Sequence, residues 1–149
     1  MIKVRTSTVI DAPIEAVWAL ASDFNGLPAW HPAAAESHIE EGKANNEIGC
    51  VRNFALKDGS GRVRETLLAA SWVDHTVTYD MVGGPLPFLD YVSVLRFEPV
   101  TDGDRTFAVW TAEFRAGDGQ TDKWGPFVRD DVFLGGLKAL ERAVKARQG

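Results

Sequence analysis

The stretch IGCVRNFALKDGSGRVRETLLA, Ile48 to Ala69, decides the fold. Apolar residues alternate on either side of Asp58-Gly59-Ser60-Gly61, the pattern of two β-strands joined by a hairpin turn. One face of the first strand carries Ile48, Cys50, Arg52, Phe54 and Leu56. The matching face of the second carries Val63, Glu65, Leu67 and Ala69, with Arg62, Arg64 and Thr66 opposite. Arg52 and Glu65 are therefore charges on otherwise apolar faces. Symmetric closure of the turn pairs Lys57 with Arg62 and Phe54 with Glu65, which makes Arg52 and Glu65 diagonal neighbours. An inward charge must be paired, hydrogen-bonded or hydrated. Two readings follow: a structural ion pair, or the polar pole of a water-containing pocket that orients a ligand's oxygen atoms.

Outward from the hairpin, period two continues from Ala33 to Arg115. Turn signals at 41–43, 58–61, 72–74, 83–85 and 101–104 divide it into six strands. A β-branched opening segment, Lys3 to Ile10, adds a seventh, and the short connections make the sheet mainly antiparallel. After Asp11-Ala12-Pro13, the spacing of Ile14, Val17, Trp18, Leu20, Ala21 and Phe24 predicts a short amphipathic helix that stops at Asn25-Gly26. Leu27 to Pro32 is too rich in proline for a long helix and predicts a helical turn or loop that brings Trp30 and His31 to an edge. Beyond Gly117-Asp118-Gly119, a stripe of Phe133, Leu137, Leu140 and Val144 opposes Lys138, Glu141, Arg142 and Lys145, predicting a C-terminal helix long enough to cross the sheet. The expected architecture is α+β and a single domain over residues 1–149: a seven-stranded, mainly antiparallel curved sheet wrapped around a long C-terminal helix, with two short helices after the first strand. A single helix over a concave sheet need not fill the space beneath it, so a cavity is the expected place for function.

Composition agrees with one globular domain. Of 149 residues, 45% are hydrophobic and 25% charged, enough to bury a core without disulfides or a structural metal. With 16 Lys plus Arg against 21 Asp plus Glu, the net charge is -5, which gives no footprint for nucleic acid or an anionic membrane. No apolar run reaches membrane-spanning length. The opening MIKVRTSTVI lacks the apolar core of a signal peptide, and the single Cys50 cannot form an internal disulfide, so a cytoplasmic setting is expected.

The later strands supply the rest of the cavity wall by the same alternation. They turn inward Val77, Tyr79 and Met81, then Tyr91, Ser93, Leu95 and Phe97, then Ala108, Trp110, Ala112 and Phe114. Gly83-Gly84-Pro85-Leu86-Pro87-Phe88 reads either as a gate over the mouth, through Leu86 and Phe88, or as an ordinary hairpin connection. Gly135-Gly136 reads either as thinning of the cavity roof or as close helix-to-sheet packing. Asp130 and Asp131 precede it, one of them a candidate for the cavity mouth. His31, His38 and His75 lie in different elements without metal-ligand spacing, so no metal and no other cofactor is expected. Cys50 reads as a small buried hydrophobe. The Gly59-Ser60-Gly61-Arg62 run is a hairpin and lacks phosphate-loop spacing.

The opening strand running into Ala12-Pro13-Ile14-Glu15-Ala16-Val17-Trp18, the Trp30-His31-Pro32 segment, Ile48-Gly49-Cys50-Val51-Arg52, Glu65 followed by leucines and the final helix together resemble the START-like, or Bet v 1-like, helix-grip superfamily (SRPBCC), in its polyketide cyclase/dehydrase and lipid-transport branch. The middle of the chain is also similar to plant abscisic-acid receptors, through Gly49 to Arg52, Glu65 to Leu67, Gly83-Gly84, Tyr91 and Ser93. It departs from them at Leu86-Pro87-Phe88 and lacks an inward lysine between Ala33 and Ile39. The resemblance implies Phe54, Leu56, Glu65, Tyr79, Tyr91 and Ser93 on the pocket wall and Leu86 to Phe88 in the gate. With Trp30, Arg52, Trp110, Phe114, Phe127 and Asp131, these form the expected ligand-binding set. The expected function is binding of a small hydrophobic, oxygenated or aromatic ligand, by a monomer or homodimer. The alternative is a cofactor-independent polyketide aromatase/cyclase or dehydratase. In that alternative Arg52 polarises a ketone or stabilises an enolate, and Glu65, Tyr79 or His31 moves the proton.

Overall fold

The computed structural model describes residues 1–148. The strands are β1 (Ile2–Ile10), β2 (Ala34–Ile39), β3 (Val51–Leu56), β4 (Arg62–Ser71), β5 (Thr76–Asp80), β6 (Phe88–Val100) and β7 (Arg105–Ala116). They form one antiparallel sheet in the order β1-β7-β6-β5-β4-β3-β2. Helix α1 (Ile14–Ala21) and a 3-10 turn (Phe24–Ala29) follow β1. The first starts after Pro13, an extended residue whose carbonyl accepts the Ala16 and Val17 N–H groups at 3.1 Å, and it has no side-chain cap.

The hairpin that sets the site closes differently from the symmetric expectation. Arg52 lies directly opposite Glu65, Phe54 opposite Val63 and Ala55 opposite Arg62. The Asp58 carboxylate accepts the Ser60 N–H at 2.9 Å and Gly59 takes a φ of 79°, so the turn runs over Lys57 to Ser60. Leu56 and Gly61 then close it, through a 2.9 Å bond from Leu56 N to Gly61 O. Moving the pairing by two residues keeps every side chain on its expected face, whereas a slip of one would have turned Arg52 outward. It also relieves the Lys57–Arg62 opposition of like charges.

Two expected inward residues lie outside. Ile48 is exposed because Gly49, at a φ of 92°, breaks the extended chain before β3 begins. Ala69 is turned out by a bulge in β4 between Leu67 and Ala69.

The C-terminal helix spans 28 residues in three parts: α2 (Thr121–Pro126), a π-helical segment (Phe127–Leu134) and α3 (Gly135–Gln148). Phe133, Leu137, Leu140 and Val144 are all buried, as their spacing requires. Phe133 stacks on Trp110 of β7 with ring centroids 4.4 Å apart, fastening helix to sheet. Truncating such a ring to alanine costs about 3–5 kcal/mol. The wide turn has an identifiable cause, since side chains from elsewhere engage its carbonyls. Thr6 of β1 donates to Arg129 O at 2.7 Å, and His31 donates to Val132 O at 2.9 Å.

Gly136 shows what its missing side chain is for. A Cβ there would lie 2.8 Å from the His31 ring and 3.1 Å from Trp110, so the glycine permits close packing of helix on sheet. Gly135 has ordinary space, with the nearest atom, Asp130 O, at 3.6 Å. Among the described residues no helix is long and apolar enough to cross a membrane.

Candidate functional site

A cavity of about 320 Å³ lies between the sheet and the π-helical segment. Its wall comes from successive strands: Arg52, Phe54 and Leu56 of β3, Val63 and Glu65 of β4, Tyr79 of β5 with Met81 just beyond it, Phe88 and Tyr91 of β6, and Trp110 of β7. Phe127, Val128 and Val132 line it from the helix. The exposed lining residues Pro32, Lys57, Asp58 and Ser60 mark its mouth, and the buried Arg52, Glu65 and Tyr79 its deep end.

The two inward charges meet. Arg52 Nε donates to Glu65 Oε1 at 2.9 Å, Nη2 lies 2.7 Å from the same oxygen, and Nη1 donates to Phe24 O at 3.0 Å. The guanidinium also sits 4.1 Å from the Phe24 ring centroid and 4.9 Å from that of Tyr79. Arg52 thus ties β3 to the 3-10 turn after α1 while neutralising Glu65. Both of its contacts with the carboxylate fall on Oε1. Burial pushes the Glu65 carboxyl above the usual carboxylate range, with Arg52 opposing that rise.

Trp110 organises the phenols. Its Nε1–H is shared between Tyr79 Oη at 3.1 Å and Ser93 Oγ at 3.0 Å, and the Ser93 hydroxyl donates to Thr111 O at 2.9 Å. With its oxygen already accepting, Tyr79 directs its own hydrogen elsewhere. Burial, reinforced by neighbouring negative charge, raises the pKa of Tyr79 and that of Tyr91 well above the ordinary phenol range. Both remain hydrogen-bond donors at any physiological pH. The deep end therefore carries two phenols, hydrogen-bonded to Ser93 and to each other, beside the Glu65 carboxylate within a mostly apolar wall.

His31 is differently engaged. Its Nε2 faces Val132 O at 2.9 Å and its Nδ1 accepts the Ala33 N–H at 3.1 Å, partners that require the neutral tautomer protonated on Nε2. Burial, opposed by the Val132 bond and aided by the Arg52 charge, lowers its pKa to about 4. Both ring nitrogens are committed to backbone, so His31 serves as a stitch between the mouth and the helix.

Of the other expected binding residues, Leu56, Leu86, Phe88, Trp110 and Phe127 join Phe54, Glu65, Tyr79 and Tyr91 on the wall. Leu86 is held near the mouth because Val82 and Gly83 bridge to Arg64 of β4, through bonds of 2.8 and 2.9 Å. Trp30, Ser93 and Phe114 stand one layer behind. Trp30 packs against His31 and Trp110, Ser93 meets the Trp110 indole, and Phe114 packs against Phe88 and Tyr91. Asp131, expected at the cavity, lies instead on the solvent side of the π segment, beside the Arg129–Asp130 ion pair. The inward side of that segment is taken by Val128 and Val132. Cys50 is buried, and burial raises its thiol pKa, which keeps it a thiol.

Val63 and Met81 belong to the wall and were marked by strand alternation alone. Lys57, Asp58 and Ser60 read as a plain surface turn, and nothing in their pattern shows that the turn rims a cavity. Val128 and Val132 fall out of a strict 3.6-residue stripe because of the π turn.

With this geometry the chain matches, across residues 1–146, the family described as polyketide cyclase / dehydrase and lipid transport. The protein belongs to that family. Similar solved structures span essentially the whole chain of this family member. The XoxI protein of Bacillus cereus is 26% identical with a TM-score of 0.86, covering 100% of this chain and 99% of its own. A protein from Thermobifida fusca is 27% identical with a TM-score of 0.84, covering 98% and 95%. An uncharacterised protein from Bacillus thuringiensis is 27% identical with a TM-score of 0.83, covering 96% and 98%.

Proposed function

We propose that this family member binds a small, largely hydrophobic ligand in the cavity beneath the π segment and recognises a neutral oxygen function at the deep end. The observation that carries this is the pairing of two protonated phenols, Tyr79 and Tyr91, with Glu65 at the end of an apolar chamber whose internal cation is already neutralised. A hydroxyl group can exchange water's hydrogen bonds for these three, donating to Glu65 and accepting from the phenols, whereas a carbonyl oxygen can accept from the two phenols only. An anion placed there would face Glu65 and find no unpaired cation. The ligand's apolar body gains about 25 cal/mol for each Å² withdrawn from water. The free, buried Cys50 supports a reducing, cytoplasmic setting for this role.

One observation supports a cyclase or dehydratase acting in the same chamber. Glu65 combines burial, a raised pKa and proximity to phenols, features suited to moving a proton near a carbonyl. Incubating the pure protein with fatty acids, sterols, flavonoids and linear aromatic polyketides, followed by liquid chromatography and mass spectrometry, separates the readings. A compound retained unchanged supports binding. A product of equal mass with a new retention time, or one lighter by a single water, supports catalysis. Retention of none, with none altered, overturns both.

A further inference from the structure

The charges lining the cavity are unequally satisfied. Arg52 and Glu65 neutralise one another at the deep end, with 2.7 Å between Nη2 and Oε1. Lys57, at the mouth, has no carboxylate within 4.0 Å among the described residues. The nearest candidate in sequence, Asp58, turns its Oδ1 into the hairpin to accept the Ser60 N–H at 2.9 Å. Lys57 is nevertheless fixed in place, because its own N–H donates to Ala33 O at 2.9 Å across the mouth. Its backbone is thus held to the rim while a four-carbon stem leaves the ammonium free to follow a ligand.

We propose that Lys57 is the anion-binding group of the site, so that the ligand is an amphipathic acid bound with its neutral oxygen inward and its carboxylate or sulfonate at the mouth. The inference rests on the cavity reading above and adds polarity and orientation to it. An anion cannot be lodged deeper without desolvation beside Glu65, whereas at the rim it keeps its water and meets Lys57, next to an Asp58 carboxylate that already accepts the Ser60 N–H. The protein's net charge of -5 repels anions in general, so anion binding here depends on the local cation.

Two fluorescent probes test this: 1-anilinonaphthalene-8-sulfonate and N-phenyl-1-naphthylamine, which share a skeleton and differ by the sulfonate. Mutual displacement establishes that both occupy one cavity. Lys57→Met keeps the stem and removes the charge, and Lys57 is exposed, so the variant is expected to fold normally, as checked by its melting temperature. The expected result is that Lys57→Met weakens the sulfonate probe by about twofold to fivefold and leaves the neutral probe unchanged, with the difference fading as salt is raised. Lys57→Glu should weaken the sulfonate probe further. Equal responses of the two probes, or none, would overturn the proposal while leaving the cavity reading standing. If the unaltered protein binds neither probe, the cavity reading itself falls and the proposal falls with it.

Discussion

Arg52 and Glu65 face each other directly across β3 and β4, with 2.7 Å between Nη2 and Oε1 in a site closed to solvent on the sheet side. Removing either partner alone strands a buried charge. Arg52→Ala and Glu65→Ala are each expected to cost about 3–5 kcal/mol of stability in denaturant unfolding. The double variant Arg52→Met/Glu65→Leu removes both charges and should recover most of that loss. It should nonetheless bind oxygenated compounds more weakly. Unchanged binding by a folded double variant would show the pair to be structural only.

The phenols separate recognition from stability. Tyr79→Phe removes one acceptor of the Trp110 N–H but leaves Ser93 Oγ in place at 3.0 Å. Its stability should change by less than about 1.5 kcal/mol, while affinity for a hydroxylated or keto compound falls by about threefold to tenfold in titration calorimetry. The same variant should bind a purely hydrocarbon probe as tightly as the unaltered protein. An equal loss for both compounds would remove Tyr79 from the recognition of oxygen.

His31 makes stability depend on pH in a defined direction. Its folded pKa of about 4 lies below its ordinary value of 6.5, so between these limits the unfolded chain binds a proton that the folded one refuses. Stability contributed by neutral His31 is therefore intact above pH 6.5 and lost progressively as the pH falls towards 4, by about 3 kcal/mol in all. Glu65, with a raised pKa, works in the opposite sense in the range above its ordinary carboxylate value. Comparing urea unfolding of His31→Gln with the unaltered protein from pH 7 to pH 4.5 isolates the histidine. Parallel curves would contradict its assignment as a buried neutral stitch.

The adjacent glycines of the C-terminal helix should respond oppositely to alanine. Gly136→Ala drives a methyl to 2.8 Å from the His31 ring and should cost about 1–3 kcal/mol. Gly135→Ala has room and should gain up to about 1 kcal/mol from helix propensity. Melting curves of the two variants decide this, and a stabilised Gly136→Ala would refute the close-packing account.

Much of this fold is legible in the sequence because period-two alternation and the Phe133–Val144 stripe each answer to burial on one face. The same alternation brings Arg52, Glu65, Tyr79 and Tyr91 to one cavity. Details decided by local backbone geometry are not legible in that way. The Asx turn at Asp58 sets the hairpin register, a bulge expels Ala69, and side-chain bonds from Thr6 and His31 widen the helix. The last of these explains Asp131, whose placement cannot be read from an ideal helical wheel. Lys57 shows a further limit, since a residue after a strand end looks like solvent until the Ala33 contact places it on a rim.

The central claim is a deep-end oxygen site formed by Tyr79, Tyr91 and Glu65. Its most direct test is a ¹⁵N-resolved NMR titration with 2-naphthol and with naphthalene, following the five tryptophan indole N–H signals. The account predicts that 2-naphthol binds more tightly than naphthalene and shifts the Trp110 indole, whose hydrogen bond ends on Tyr79, while exposed Trp72 stays still. A shift at Trp72 with Trp110 unmoved, or equal binding of the two compounds, would contradict it.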